Sequence, residues 1–385
     1  MRVTSKARVL FWNSIPSPYI VERFNVIARR ANVDLHVCFN ERIQPDRSWD
    51  VDESRWEFPY SYLQRSRLGG LQVPLPQLRR LQPDLLITLY ENLSFVFGAL
   101  LAKQRGIKVA LYAMKVFDTW RPVRRHRELA KRWLFPRVDA FEVPGPDGAA
   151  YVRRYGAPAG RVWAFPDPVD VQHFALGARQ ARQDTDARRR LGLTGCVYLY
   201  VGRLWSGKGI DYLLDAYARL SAEGVPASLV LVGDGVDEAR YRARAAGLPN
   251  VVFPGFVQMP DLPRWYGLAD VLVFPTLGDP YGLVVEEAMA AGLPVIATEN
   301  AGEIRERMLD GETGFIVPAA DSDALLDRMR GLAFDPERRR CMGERGYERI
   351  RPRTNEWWAG EFEAMVQCIV DGVKPATRIA EEART

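Results

Sequence analysis

The sequence predicts an α/β protein built as two doubly wound, Rossmann-like domains. Three observations predict it. The chain has 385 residues, a length that suggests two domains. Short apolar runs that read as buried parallel strands alternate with amphipathic helical stretches in both halves. In the second half these runs end in glycine-bearing loops, where open α/β sheets bind their ligands.

Bulk properties narrow the function classes. With 47% hydrophobic and 26% charged residues, the composition is that of a soluble globular chain. A net charge of +5 fits an anionic substrate or an acidic membrane surface and specifies neither. The longest apolar run, near Phe95 to Ala102, is too short to span a bilayer. MRVTSKARVLFWN runs straight into a strand without a signal-peptide pattern, so a cytoplasmic location is expected. Cys38, Cys196, Cys341 and Cys368 are scattered without C-x-x-C spacing and read as reduced thiols, not as a zinc site or disulfide frame. His36, His126 and His173 form no cluster. Asp50/Asp52, Asp184/Asp186 and Asp321/Asp323 have a spacing that can hold a divalent cation. None follows an apolar strand, so no metal is expected.

The first half opens with ARVLFWN (7–13), a buried strand. IPSPY (15–19) is a tight loop, and an amphipathic helix follows with Ile20, Phe24, Ile27 and Ala28 on one face. Pro16, Ser17 and Pro18 stand where a glycine-rich phosphate loop would be in a dinucleotide-binding dehydrogenase. VDLHVCFN is the second strand. Residues 41 to 80 read as irregular, with Trp49, Trp56, Tyr60 and Tyr62 among charges. DLLITLY (84–90) and KVALYAM (108–114) are strands flanking the helix SFVFGALLAKQRG. The segment 119–137 holds seven Arg or Lys and one Glu, interleaved with Trp120, Trp133, Leu134 and Phe135. It fits a helix lying on an anionic membrane surface and equally a solvated helix with an apolar seam. No nucleic-acid module accompanies the charge, and no nucleic acid is expected. VDAFEVPG is the last strand of this half. The polar stretch 175–190 reads as a linker, with the domain boundary near residue 175.

In the second half CVYLYV leads into Gly202-Arg203-Leu204 and Lys208-Gly209, then a helix. ASLVLV ends in Gly233-Asp234-Gly235. NVVFP leads to Gly255-Phe256-Val257. The stretch VLVFPTLGDPYGLVVEEAMAAGLPVIAT (271–298) reads as strand, loop, helix, strand. Asp279 sits in the loop at the strand's carboxyl end, and Glu287 lies eight residues later within the helix. The N–H groups of Gly282, Leu283 and Val284 open that helix and form a natural anion site. Near the end, EWWAGEFEAMVQCIV (356–370) is amphipathic, and residues 373–385 read as a frayed tail.

These motifs, in this order, resemble family-4 retaining glycosyltransferases, whose fold is the two-domain GT-B fold. Arg203 and Lys208 stand in a GRL…KG motif, Gly233-Asp234-Gly235 in a GDG motif, and Asp279 to Glu287 in the place of E-x7-E. Pro166-Asp167-Pro168-Val169-Asp170 with Phe174 resembles the crossover between domains. Asp replaces Glu at the first motif position, which keeps a carboxylate and shortens its reach. The chain departs from the family also in the Pro-Ser-Pro-Tyr loop, where many relatives have Gly-Gly. At Met114-Lys115-Val116-Phe117-Asp118 many relatives have a His.

The resemblance implies a GT-B enzyme with two domains facing a cleft. Residues 1–175 would bind the acceptor, 176–350 the nucleotide sugar, and the helix 351–372 would cross back onto the first domain through Trp357, Trp358 and Phe362. Arg203 and Lys208 would neutralise the diphosphate leaving group. Glu287 would accept the ribose hydroxyls, and Asp279 with the backbone of Gly282 and Leu283 would orient the sugar. Gly202, Gly233, Gly235, Phe256, Val257, Tyr281 and Val284 would complete the donor site. Pro16, Ser17, Tyr19 and Lys115 are candidates for the cleft side, as is Asp118; for the Pro-Ser-Pro-Tyr loop a rigid turn is an equal alternative, and for Lys115 and Asp118 a plain surface loop is the favoured one. No cofactor or metal is implied beyond the nucleotide sugar, for which UDP is the expected base with GDP and dTDP open. The rivals are an inactive sugar-nucleotide binder, a Rossmann dehydrogenase or epimerase, and a GT-B phosphorylase.

Overall fold

The computed structural model describes residues 6–44, 47–63, 71–114 and 125–372. The chain forms two compact units: Met1–Asp167 with Asn355–Thr385, and Pro168–Thr354.

The first unit runs β1 (Ala7–Asn13), α1 (Pro18–Arg30), β2 (Val33–Phe39), β3 (Tyr60–Tyr62), α2 (Leu75–Leu81), β4 (Leu85–Thr88), α3 (Leu93–Gln104), β5 (Lys108–Tyr112), α4 (Arg125–Leu134), β6 (Ala140–Val143), α5 (Pro146–Arg154) and β7 (Val162–Ala164). Its strands pair in parallel in the order β3-β2-β1-β4-β5-β6-β7. The period of two along β1 sends Val9 and Phe11 to one layer and Leu10 and Trp12 to the other. Apolar side chains on both faces are what a sheet covered twice requires.

The region 41–80, expected to be irregular, contributes the edge strand β3 and the helix α2. An aromatic ladder holds the strand: Trp56 and Tyr60 have ring centroids 4.5 Å apart, Tyr60 and Tyr62 5.9 Å. Glu53 accepts both tyrosine hydroxyls, at 2.6 and 3.0 Å. Those partners lie outside the strand's own three residues, so local pattern does not reveal it.

The second unit runs α6 (Val171–Gln183), α7 (Ala187–Arg190), β8 (Cys196–Val201), α8 (Ile210–Ala222), β9 (Ala227–Val232), α9 (Glu238–Ala245), β10 (Val251–Gly255), α10 (Leu262–Leu268), β11 (Val271–Phe274), α11 (Val284–Ala290), β12 (Val295–Thr298), α12 (Ile304–Arg307), β13 (Gly314–Val317), α13 (Ser322–Ala333) and α14 (Pro336–Ile350). Its parallel sheet has the order β10-β9-β8-β11-β12-β13. One face carries Phe174, Tyr266, Val285 and Met289; the other carries Leu213, Tyr217, Tyr241 and Met329.

The stretch 175–190, expected as a linker, is helical, and the units divide at Asp167 and Pro168 instead. Asp170 caps α6 by accepting the His173 N–H at 2.9 Å. Val171, Phe174 and Ala178 then form a buried stripe at helical spacing. The remaining positions are polar, which gives the segment its linker-like composition. Gly267 of α10 allows the approach, since a Cβ there would lie 2.5 Å from the Ala178 carbonyl oxygen.

The last helix, α15 (Asn355–Asp371), belongs to the first unit, as expected of a returning helix. Trp358, Phe362, Met365, Val366 and Ile369 form its buried stripe against Phe11 and Phe24; Trp357 is only partly buried. Arg30 of α1 pairs with Glu363 at 2.9 Å and Glu356 at 3.2 Å. Lys108 donates to the Ile369 and Val370 carbonyls, a cation placed at the negative end of the helix.

Candidate active site

In the second unit β8 pairs with β9 on one side and β11 on the other, so the sheet order reverses between β8 and β11. The loops after these two strands leave the sheet at its topological switch point. Backbone bonds tie four strand ends together there. Gly202 N–H donates to the Val232 carbonyl at 3.0 Å, Leu204 N–H to Asp234 at 2.6 Å, Gly233 N–H to Gly255 at 2.9 Å, and Leu277 N–H to Gly207 at 3.1 Å. Glycine is required at two positions of these loops. A Cβ on Gly233 (φ +134°) would lie 2.0 Å from the Gly202 carbonyl oxygen, and one on Gly209 (φ +67°) would lie 1.9 Å from that of Pro275.

The Lys208 ammonium pairs with the Asp279 carboxylate and lies 5.7 Å from the centroid of the Phe274 ring. Asp279 accepts the Tyr281 N–H at 2.9 Å, which fixes the turn that carries it. Burial would raise the Asp279 pKa. The charge and hydrogen bond of Lys208, with the Tyr281 N–H and Arg307, outweigh burial and hold it below the ordinary carboxylate value.

Arg307 is the centre of a buried network beneath this loop. It and Glu286 expose 1% of their side chains and pair through two bonds, the longer being Nε to Oε1 at 2.6 Å. The same guanidinium donates to the carbonyls of Tyr281, Gly282 (2.6 Å) and Gly302 (3.0 Å) and lies 4.0 Å from the Tyr281 ring centroid. Tyr281 completes the network by donating to Glu286 at 3.3 Å. A planar fork with five donors suits this task, and it holds the 279–282 turn from below.

Glu287 sits differently from expectation. It is 0% exposed, and its carboxylate accepts the Tyr266 hydroxyl of α10 at 2.5 Å. Helix α11 also begins later, at Val284, and has seven residues. Val285 N–H turns back to the Gly282 carbonyl at 3.1 Å. With barely two turns of aligned peptides the helix end carries little of the positive field expected of it, so attraction for an anion rests on the Arg203–Lys208 loop.

A model of the family described as glycosyl transferases group 1 matches residues 195–335. D-inositol 3-phosphate glycosyltransferase 2 of Catenulispora acidiphila is 33% identical over 216 residues, 52% of this chain and 49% of that one. GDP-mannose-dependent alpha-mannosyltransferase of Mycobacterium tuberculosis is 34% identical over 221 residues, 57% and 52% of the two chains. The second unit carries a group 1 glycosyltransferase domain. The chain spans about half the length of these curated relatives. The crystal structure of HepE from Anabaena in complex with UDP matches with a TM-score of 0.75 at 16% identity, over 94% of this chain and 99% of that one. Sucrose-phosphate synthase from Thermosynechococcus elongatus gives 0.75 at 21% identity, over 95% and 100%. The two parallel sheets and these likenesses make the fold GT-B.

Within the glycosyltransferase domain the structure brings Gly202, Arg203, Lys208, Gly233, Gly235, Asp279, Tyr281 and Gly282 to adjoining strand ends. Arg203 is half-buried, and its carbonyl accepts the Tyr200 hydroxyl at 2.8 Å. Beyond β10, Phe256 is 38% exposed while Val257 packs on the core. Leu283 and Val284 are half-buried at the start of α11 and pack on the same core. Among the described residues no group of three or more His, Cys, Asp or Glu could hold a metal ion. Asp321 caps α13, and Asp184, Asp186 and Asp323 pair with arginines.

In the first unit Ser17 is the N-cap position of α1, with Pro18 opening the helix. Pro16 is buried, and Ser17 and Tyr19 are half-buried. Lys115 and Asp118, with residues 119–124, lie outside the described residues. Of the basic segment, Leu134 and Phe135 are core residues, whereas Leu129 (68%) and Trp133 (46%) are exposed.

Arg307, Glu286 and Tyr266 were not legible as site residues. Only tertiary packing shows Arg307 to be interior. A second group that sequence reading misses lies in the first unit: Arg23 pairs with Asp167, Tyr112 donates to Asp167 at 2.8 Å, and Glu142 is buried beside them with neither carboxylate oxygen hydrogen-bonded.

Proposed function

We propose that the chain is a retaining glycosyltransferase. It would move a hexosyl-type sugar from a nucleotide diphosphate sugar, UDP being the base we favour, to a hydroxyl on a glycan, a lipid-linked sugar or a small natural product. The observation that carries this reading is the assembly of Gly202–Lys208, Gly233–Gly235 and Asp279–Gly282 at the switch point of a group 1 glycosyltransferase domain. In support, solved GT-B neighbours are complexes with UDP or UDP-glucose, while one relative is GDP-mannose-dependent.

On this reading Arg203 and Lys208 receive the diphosphate charge as the sugar–phosphate bond breaks, without a metal. The acceptor attacks from the face the leaving group departs, and a leaving phosphate oxygen takes its proton. Asp279 keeps Lys208 placed and meets the sugar. Glu287 serves the ribose with acceptor capacity that its carboxylate has beyond the Tyr266 hydroxyl. The exposed pair Leu129 and Trp133 supports a peripheral membrane contact. No helix among the described residues is long and apolar enough to cross a membrane.

Protection against thermal unfolding by UDP, GDP, dTDP, ADP and NAD tests the reading. A ligand at ~100 times its dissociation constant adds about 2.7 kcal/mol. Protection by one nucleoside diphosphate supports a donor site and names its base; protection by NAD alone overturns it. Binding without turnover of any nucleotide sugar would indicate an inactive binder.

A further inference from the structure

At the amino ends of β11 and β12 the second unit contains a cavity of about 510 Å³, within the range of small-molecule sites. It lies at the opposite end of the sheet from Lys208 and Asp279. Arg179 and Arg182 of α6, Ala291 and Gly292 after α11, and Arg339 and Arg340 of α14 line it.

The charges do not balance. The acids of the lining are taken: Asp270 by Arg188 at 3.0 Å, Glu344 by Arg340 at 2.7 Å, and Glu348 by Arg351 at 3.0 Å. Arg340 is further matched by Glu337 at 2.5 Å. Arg182 donates to the Ala291 carbonyl at 2.6 Å, and Arg339 to the Leu332 and Ala333 carbonyls. Carbonyls satisfy donors and leave the full charges uncompensated. Arg179 has no ion pair among the described residues. Arg179, Arg182 and Arg339 therefore meet around one cavity with no ion pair of their own among the described residues, while its three acids are paired with other arginines. Burial, then the charges of Arg188 and Arg179, lower the Arg182 pKa against the opposing pull of Asp270.

We infer that this cavity is a second anion site, taking a small soluble molecule that carries two or more phosphate charges. Guanidinium forks match phosphate oxygens in geometry and charge.

Calorimetric titration of the full chain with pyrophosphate, with and without saturating UDP, tests the inference. Salt is held at ~0.15 M, where the Debye length is about 8 Å. The expected result is a binding step that UDP leaves in place and that Arg179→Glu weakens by ~10-fold or more. Arg179→Gln should weaken it less, with the melting temperature of both variants unchanged. Pyrophosphate binding that UDP displaces completely overturns the inference, as does UDP-insensitive binding of equal strength in wild type and Arg179→Glu. The inference is independent of the transferase reading: absence of UDP binding would sink the donor site while the pyrophosphate titration still decides the cavity.

Discussion

Arg307→Met removes a guanidinium whose only surroundings are protein. Methionine retains much of the volume and flexibility, so the cost is chiefly electrostatic. Glu286, likewise 1% exposed, loses its cation, and the Tyr281 hydroxyl at 3.3 Å is a poor substitute. Removing one partner of a buried pair costs about 3–5 kcal/mol. The Tyr281 and Gly282 carbonyls lose donors too, at ~1 kcal/mol each where water does not replace them. For a unit of this size each kcal/mol lowers the melting temperature by about 2–4 °C, so a drop on the order of 10–20 °C is expected. The double variant Arg307→Met/Glu286→Leu removes the orphaned charge and should recover to within about 1–2 kcal/mol of wild type. Its 279–282 turn still lacks the fork that held it, so UDP affinity should remain low. Scanning fluorimetry and UDP titration of the three proteins separate the two effects. A single variant melting within ~2 °C of wild type would refute the energetic reasoning. Recovery of UDP binding together with stability in the double variant would show that the pair does not position the loop.

Lys208→Ala should weaken UDP binding by about 1.5–3 kcal/mol, the worth of a hydrogen bond to a charged group, and abolish transfer; full activity, or full activity in Glu287→Ala, would sink the site assignment. Gly233→Ala places a methyl 2.0 Å from the Gly202 carbonyl oxygen and should part the two loops, lowering turnover on the order of 100-fold with unchanged circular dichroism. Asp279 has a lowered folded pKa, so its contribution to stability is present above its unfolded value and is lost as pH falls through the folded one; Asp279→Asn should lose stability relative to wild type at pH 7 and converge with it in acid, and parallel melting curves would refute this. Burial, then the Asp167 charge, push Glu142 up to about 8, against the pull of Arg23. Its folded pKa exceeds the unfolded value of ~4.3, so wild type should lose up to about 1.4 kcal/mol per pH unit between those values. Glu142→Gln should be spared that loss, and a melting temperature with the same pH slope as wild type would contradict the burial of a neutral carboxyl.

Lys208 and Asp279 show why sequence reading located the candidate site yet missed its electrostatics. Glycines at 202, 233 and 235, basic residues after β8 and acids around β11 mark strand ends wherever they occur, because loop chemistry is local. Neutralisation of Lys208 by Asp279 joins positions 71 residues apart and depends on how β8 and β11 pair. Glu287 was legible by spacing, while its contact with Tyr266 was not, since α10 and α11 are separated by a strand.

Local pattern by itself determined the alternation of strands and helices in both halves and the amphipathic last helix, whose apolar stripe repeats at helical spacing. The order of the motifs resembles the group 1 family, and that resemblance, not the pattern, implied the helix's return to the first unit. Only the tertiary structure decided that residues 175–183 are a packed helix, that Tyr60–Tyr62 is an edge strand, and that Arg307, Arg23 and Glu142 are interior. The physical reason is the same in each case. Apolar periodicity is written along the chain and survives in any context, whereas the burial of a charge is possible only where distant segments supply its partners.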